Sequence, residues 1–266
     1  MTKTNQQKVK DFLINNGVII VMFILVIYTG FTSDNFFTKN NFMNILMNMS
    51  SRLVIALGIA GCVITAGCDL SAGRMIGFGA CISGMLLQRM DYSGKFFPDM
   101  QPLNVFVVAL IAMLVCAAFG TVTGFFIAYL NVPPFIATLA MMEIVYGIGL
   151  IVTNATPLGG YVEQYTNVSN GKFLGINYLI WIAIIVAAIT WFIFNMTRHG
   201  KYMYAIGGNP QAAEVAGVPV KATLILIYMK AAAMYGLAGF MLGAKAGGAS
   251  VQTGYGYEME AIAACT

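Results

Sequence analysis

Charged residues are scarce in this chain of 266 residues: Lys, Arg, Asp and Glu make up 9% of it, whereas hydrophobic residues make up 59%. A soluble globular domain carries about 25% charged residues, which keep its surface hydrated. The composition therefore excludes an ordinary soluble domain and indicates a protein that lies in a bilayer, with membrane lipid as a partner. The net charge of +4 is small and gives no indication of a nucleic-acid partner.

The sequence also lacks the motifs of several enzyme and metal-binding classes. Its three Gly-Lys pairs, at 94–95, 171–172 and 200–201, are each followed by Phe or Tyr, whereas a P-loop needs Ser or Thr there. No GxSxG nucleophile motif occurs, and the single histidine, His199, is expected to be a solvated loop residue. The five cysteines have no CxxC spacing and are expected to pack in the core. The sequence thus predicts no catalysis, no metal and no cofactor.

Long apolar runs are what the chain does contain. A membrane-spanning helix needs about 20 mostly apolar residues. Runs of this kind lie near 12–32, 52–66, 72–89, 104–130, 134–153, 178–196 and 223–244. The connections between them are short, the longest running from about 154 to 177, so no folded soluble domain is expected. The predicted fold is an all-α integral membrane bundle with about seven spans and at least one interrupted helix, forming one domain over residues 1–266.

The orientation of the chain follows from its basic segments. The first apolar run follows a lysine-containing arm and has no small-residue cleavage site after it, so it is interpreted as a retained anchor. The arm and the basic stretch 198–222 fall on one side of the membrane if six spans separate them, as in the prediction. The amino terminus is therefore expected in the cytoplasm. Glycines four residues apart, as at Gly120 and Gly124, are expected to let helices approach closely.

The stretch "GCDLSAGR", residues 67–74, interrupts what would otherwise be one very long apolar run. Gly67 and Gly73 flank an acid and a hydroxyl, a pattern that ends one helix and starts another, with Ser71 as a candidate N-cap. One interpretation is a break that lines a transport pathway, because broken helices at membrane depth occur at such pathways. The alternative is a tight cytoplasmic turn in which Asp69 pairs with Arg74. The sequence leaves both open.

A second informative stretch, "RHGKYMYAIGGNPQAAEVAGVPVKA", is the longest polar run of the second half. Asn209 can cap a helix, Pro210 suits its first position, and Gly217 can end it in the left-handed conformation. The helix, residues 210–216, would be about 10 Å long and too short to be stable alone. It is expected to dock into a groove on another protein, where a bulky residue at Ala213 would spoil the fit. The alternative is an interfacial helix that rests on lipid headgroups.

Two ionisable residues fall within predicted spans, Glu143 in "LAMMEIVYG" and Lys230 in "LIYMKAAAMYG". Both lie about 12 Å from the cytoplasmic start of their spans at helical rise, so a buried ion pair between them is a hypothesis. The alternative is that each side chain stands alone and faces a cavity or the interface.

Four motifs resemble a known family in order and spacing. They are "TAGCDLSAGRMIGFGA", "LNVPPFIATLAMMEIVYGI", "HGKYMYAIGGNPQAAEVAGVPV" and "GYGYEMEAIAAC". Together they resemble the permeases of bacterial ABC sugar importers of the ribose, arabinose and galactose type. "DLSAGR", "LLQRMD" and "FFPDM" are similar to the galactose and methyl-galactoside type in particular.

The resemblance implies a multi-pass permease of the bacterial inner membrane that carries a monosaccharide such as galactose or methyl-galactoside. It implies as partners a cytoplasmic ABC ATPase, a periplasmic sugar-binding protein and a second permease copy. It also implies that the polar stretch is the coupling loop to the ATPase, with the residues Gly207, Gly208, Asn209, Pro210, Gln211, Ala212, Ala213, Glu214 and Gly217. The expected translocation pathway is lined by Asp69, Ser71, Gly73, Pro133, Pro134 and Thr138.

The chain departs from this family pattern in two ways. The family continues with a glycine-rich segment and further spans where this chain stops at Thr266, so a carboxy-terminal truncation is expected. Glu143 and Lys230 stand where the family is normally uncharged. Two other functions therefore remain open: an ion-coupled secondary carrier that uses Glu143 as a proton site, and a membrane scaffold that does not transport.

Overall fold

A computed structural model describes residues 14, 16–33 and 35–266 of the chain. This part divides into two compact units, with the boundary between Leu46 and Met47. The helices and strands, in chain order, are α1 (Gly17–Thr32), α2 (Lys39–Ile64), α3 (Ala72–Leu86), α4 (Val105–Leu130), α5 (Pro134–Thr153), α6 (Glu163–Asn170), β1 (Lys172–Phe173), β2 (Ile176–Asn177), α7 (Tyr178–Met196), α8 (Arg198–Gly208), α9 (Pro210–Val215), α10 (Val220–Ala246) and α11 (Tyr257–Cys265).

The all-helical membrane fold predicted from the sequence is confirmed. Among the described residues, five helices are long and apolar enough to cross a membrane: α2, α4, α5, α7 and α10. Two more, α1 and α3, are apolar but shorter. The run predicted at 12–32 lies partly outside the described residues, and the count of seven spans stays a prediction.

Helix α2 starts earlier than the sequence pattern indicates. It begins at Lys39, whereas the predicted span begins at 52. Its first turns contain four asparagines, Asn40, Asn41, Asn44 and Asn48, which lower the local hydropathy and conceal the helix from a search for apolar runs.

Helix α10 lies at the centre of the second unit. In its most apolar stretch of 18 residues, 56% of the residues are buried, against 22–28% in the corresponding stretches of α4, α5 and α7. A helix buried on most sides is apolar around most of its circumference. Close approach of backbones places α4 and α3 against it. Gly79 on α3 lies beside Gly236, and a Cβ on Gly236 would meet the carbonyl of Ala112 on α4.

The pair Gly120 and Gly124 packs as predicted. Added Cβ atoms there would contact the backbone of Tyr228 and the Cα atom of Ile225, both on α10. The glycines at 73 and 77 instead make room for the segment 247–256, which follows α10 and runs along α3.

The connection between α5 and α7 covers the opposite end of the bundle from α8 and α9. It contains α6 and an antiparallel pair of short strands, β1 and β2. The buried hydroxyl of Tyr165 on α6 donates to the carbonyl of Phe240 on α10 at 2.7 Å. Backbone bridges also join Leu158 to Ala249. This connection therefore holds the end of α10 and the start of the 247–256 segment.

Replacing Gly120 with Ala should lower the thermal stability, because the added methyl would meet Tyr228 and Ala232 on α10. Overpacking of this kind costs about 1–3 kcal/mol. Gly147→Ala is the matched control, since nothing lies within 4 Å of a Cβ at that position of α5. The melting temperatures of both variants in detergent test this, and a Gly120→Ala protein as stable as the parent would contradict the close packing.

Candidate functional site

The break between α2 and α3 runs back into the helical bundle. A Cβ on Gly67 would meet the hydroxyl of Tyr228 on α10. Asp69 accepts a hydrogen bond from the Tyr235 hydroxyl at 3.2 Å. Tyr235 lies about 22 Å from the start of α10, a helix of 27 residues that is about 40 Å long. The break therefore lies beside the middle of α10, which favours the pathway interpretation, and its depth in the membrane stays a prediction.

The carboxylate of Asp69 organises the start of α3. Asp69 is 2% exposed and Ser71 is fully buried. One carboxylate oxygen accepts from the Ser71 backbone N–H at 3.0 Å and from the Ser71 hydroxyl at 2.6 Å. Ser71 precedes α3, but its side chain makes no capping bond because it donates to Asp69. Asp69 and Arg74 are both described and form no ion pair, so the pairing proposed with the turn is wrong.

Arg74 is held between two tyrosine rings. Its guanidinium carbon lies 4.0 Å from the ring centroid of Tyr146 on α5 and 4.2 Å from that of Tyr255. Its Nη1 atom donates to Gln252 Oε1 at 2.7 Å and to the Val251 carbonyl at 3.4 Å. Gln252 in turn donates to the Tyr146 hydroxyl at 3.2 Å. The Nε atom of Arg74 is buried and is the one buried side-chain nitrogen or oxygen of the described residues without a hydrogen-bond partner.

A second buried acid completes this polar centre. Glu258 on α11 is 4% exposed and accepts from the Gly256 backbone N–H at 3.0 Å. A Cβ on Gly73 would collide with the Glu258 carboxylate, so glycine is required for this approach. We call Asp69, Arg74 and Glu258, with their tyrosine, serine and glutamine partners, the polar centre.

Sequence reasoning located only half of the polar centre. It singled out Asp69, Ser71 and Gly73 but missed Tyr146, Gln252, Tyr255 and Glu258. The available signal was the motif "GYGYEME", in which two acids and two tyrosines follow an apolar helix.

The remaining pathway candidates start α5. Pro134 lies beside the break, with its Cβ 3.7 Å from a Cβ built on Gly67. Thr138 is fully buried, and its hydroxyl donates to the Phe135 carbonyl at 3.3 Å. Pro133 is exposed. The structure thus brings Pro134 to the break, while a role for Pro133 and Thr138 in a pathway stays a prediction.

The short helix α9 has the predicted caps. The Asn209 side chain accepts from the Ala212 backbone N–H at 2.9 Å, and Pro210 is the first helical residue. At the other end, Gly217 has φ +83° and the Val218 N–H donates to the Ala213 carbonyl at 3.0 Å. The helix is assigned one residue shorter than expected, ending at Val215.

Ala213 faces the chain itself. It is 5% exposed, whereas Val215 is 91% exposed, and Gln211, Ala212 and Glu214 are exposed as well. A bulky residue at Ala213 would therefore disrupt packing within the chain, so the expectation that it probes a partner's groove is wrong. Val215 is the large apolar residue that this helix exposes.

Helix α8 links α9 to the break. Gly207 lies against the end of α2, where a Cβ would collide with the backbone carbonyl of Ile64. Ile64 is the last residue of α2. A displacement of α8 would therefore act on the residue that leads directly into the break.

Glu143 and Lys230 do not form the predicted ion pair. Glu143 is exposed on α5, and no described carboxylate lies within 4.0 Å of the Lys230 ammonium. Lys230 and His199 instead line a small cavity of about 20 Å³ whose other lining residues are mostly apolar. His199 is therefore a partly buried residue of α8, and the expectation of a solvated loop residue is wrong. Burial, and secondly the charge of Lys230, lower the pKa of His199 to about 4. The imidazole is neutral at physiological pH.

The cysteines follow the expectation of core packing in three cases. Cys62, Cys81 and Cys116 are buried, while Cys68 and Cys265 are partly exposed, and all five are free thiols.

These features define a multi-pass helical membrane protein with a polar centre at a broken helix, an arrangement found at transport pathways. The chain belongs to the family described as branched-chain amino acid transport system / permease component, whose model matches residues 41–266.

Curated relatives of the chain are sugar import permeases by name. The galactose/methyl galactoside import permease protein MglC of Escherichia coli is 39% identical over 272 residues, covering 100% of this chain and 81% of the relative. MglC of Haemophilus influenzae is 40% identical over 272 residues with the same coverage. The ribose import permease protein RbsC of Escherichia coli is 32% identical over 259 residues, covering 96% of this chain and 77% of the relative. No solved structure matches the chain.

Replacing Gly207 with Ala should destabilise the protein, because its methyl would meet the Ile64 carbonyl and a backbone carbonyl cannot rotate aside. The expected cost is about 1–3 kcal/mol, measured as a lower melting temperature. Gly208→Ala is the control, since Gly208 is the next residue of α8 and nothing lies within 4 Å of its added Cβ. Equal melting temperatures for the two variants would contradict the contact between α8 and α2.

Proposed function

We propose that the chain is the permease subunit of an ATP-driven importer that carries a monosaccharide, such as galactose or a methyl galactoside, across the bacterial inner membrane. The observation that carries this proposal is the contact between Gly207 and Ile64, which joins an exposed, capped helix to the polar break inside the bundle. The names of the 39% identical relatives supply the substrate class.

The proposed partner at α9 is a cytoplasmic ABC ATPase. The sequence contains no P-loop, so the chain depends on another subunit for ATP hydrolysis. A helix of six residues cannot be stable by itself, and α9 is held by its caps and by the burial of Ala213. Its exposed surface, centred on Val215, is available to a groove on the ATPase. The amino terminus and the α8–α9 stretch would then both face the cytoplasm.

The partners at the other side complete an importer. A periplasmic binding protein would deliver the sugar to the end of the bundle that carries α6 and the β1–β2 pair. A second copy of the permease would form the other half of the channel. Selectivity can then reside largely in the binding protein, and the permease needs a pathway of moderate polarity.

The proposed mechanism follows the contacts from α9 inward. Closure of the ATPase dimer displaces α9 and α8, and Gly207 transmits the displacement to the end of α2. The break that follows carries Asp69, whose hydrogen bonds to Ser71 and Tyr235 hold the start of α3 against α10. A shift of this start relative to α10 opens the polar centre to one side of the membrane or the other.

Replacing Val215 with Asp should abolish association with the ATPase and reduce uptake at least about tenfold, because it places an unpaired carboxylate in a docked apolar contact. Membrane insertion and the melting temperature of the permease should not change, since Val215 is 91% exposed. Co-purification with the ATPase and sugar uptake into proteoliposomes measure the two effects.

Leu174→Asp is the matched control for this prediction. Leu174 is also a strongly exposed aliphatic residue, at 78%, but it lies between β1 and β2 at the opposite end of α7. The control should bind the ATPase normally. Normal binding and uptake by the Val215→Asp variant would rule out α9 as the docking helix.

A further inference from the structure

Arg74 is partly buried and lies close to the middle of α10. It is the third residue of α3, whose start is fixed at the middle of α10 by the bond from Tyr235 to Asp69. The ring that covers one face of its guanidinium belongs to Tyr146, about 18 Å along α5 from Pro134. An arginine in a membrane helix is costly, and such residues mark substrate pathways.

The guanidinium of Arg74 has no carboxylate within ion-pair distance among the described residues. Arg52 provides the contrast, because it also lies over a tyrosine ring, that of Tyr257 at 5.1 Å, but forms an ion pair with Glu260 at 2.8 Å. Arg74 has five N–H donors and uses Nη1 for its acceptors Gln252 and Val251. Its Nε–H has no partner. Donor capacity is thus left over at a site that has no structural ion pair to maintain.

The surroundings of Arg74 favour a neutral ligand rich in hydroxyls. The buried carboxyl groups of Asp69 and Glu258 belong to the same polar centre, so an anion would meet acids beside the single arginine. Sugar hydroxyls can accept from the guanidinium and exchange hydrogen bonds with the Gln252 amide. The Tyr255 ring is 58% exposed, and an aromatic face packs against the apolar face of a sugar ring.

We propose that Arg74, together with Gln252 and Tyr255, is the point of the pathway that recognises the hydroxyls of the passing monosaccharide. The inference rests on the proposed function, since it assigns a residue to the transport of the same substrate. Arg74 donates to the hydroxyls, Gln252 accepts and donates beside it, and Tyr255 provides the stacking face. The cation–π contacts hold the guanidinium in place while the sugar exchanges with Gln252.

The test compares Arg74→Gln with Arg52→Gln in the complete importer, reconstituted with its ATPase and binding protein. Uptake of galactose and of 4-deoxygalactose is measured beside ATP hydrolysis stimulated by the loaded binding protein. Arg74→Gln should lower galactose uptake per ATP about tenfold and reduce the preference for galactose over the deoxy sugar, because a hydrogen bond to a charged donor is lost. Arg52→Gln should leave both ratios unchanged.

Tyr255→Leu keeps the test decisive if Arg74→Gln does not fold. Tyr255 is exposed, so the variant should fold, and it should lower uptake per ATP in the same direction. Arg74→Lys, which keeps the charge but not the planar fork, should restore only part of the discrimination.

The outcomes separate the inference from the proposed function. Parent protein that takes up no monosaccharide with its partners would refute the proposed function itself. Parent protein that transports, with folded Arg74→Gln and Tyr255→Leu variants whose uptake per ATP and sugar preference match the parent, would overturn the role of Arg74 alone.

Discussion

The hydrogen bonds of the Asp69 carboxylate are the constraint on which the rest of the structure depends. Inside a bilayer, backbone polar groups must find partners within the protein. Between Ile64 and Ala72 no continuous helix supplies them, and Asp69 accepts from the backbone and side chain of Ser71 and from Tyr235. An unsatisfied buried donor costs about 1–3 kcal/mol. The position of α3, and with it the polar centre, follows from these bonds.

Glycine contacts turn this local constraint into a property of the whole bundle. Gly79 and Gly236 bring the backbones of α3 and α10 together, and Gly239 lies against the backbone of α3 at Ile76 and Ala80. Backbones in contact leave no flexible side chains to absorb a shift, and packed interiors move between discrete arrangements. A displacement that enters at Gly207 therefore has few residues to cross before it reaches Asp69.

Features encoded by neighbouring residues could be predicted from the sequence. Asn209, Pro210 and Gly217 specify the ends of α9 through their own backbone chemistry, and Gly67 and Asp69 indicate a helix break. The start of α2 was missed because its asparagines conceal a helix. The surroundings of Arg74 could not be predicted, since its hydrogen bond to Val251 joins residues 177 positions apart. Burial of Ala213 in place of Val215 likewise depends on packing against other elements.

The absence of ion pairs at the described polar centre suits a pathway better than a fixed structural core. A charged pair such as Arg52 and Glu260 must break its ion pair before either group can bind a ligand. At the polar centre, Asp69 bonds to hydroxyls, Glu258 to a backbone N–H, and Arg74 to an amide and two aromatic rings. Each of these partners is neutral, so a sugar hydroxyl can replace it without separating opposite charges in a medium of low dielectric constant. The same bonds satisfy the carboxylates of Asp69 and Glu258 and the Nη1 atom of Arg74 in this structure, while the Arg74 Nε–H has no partner.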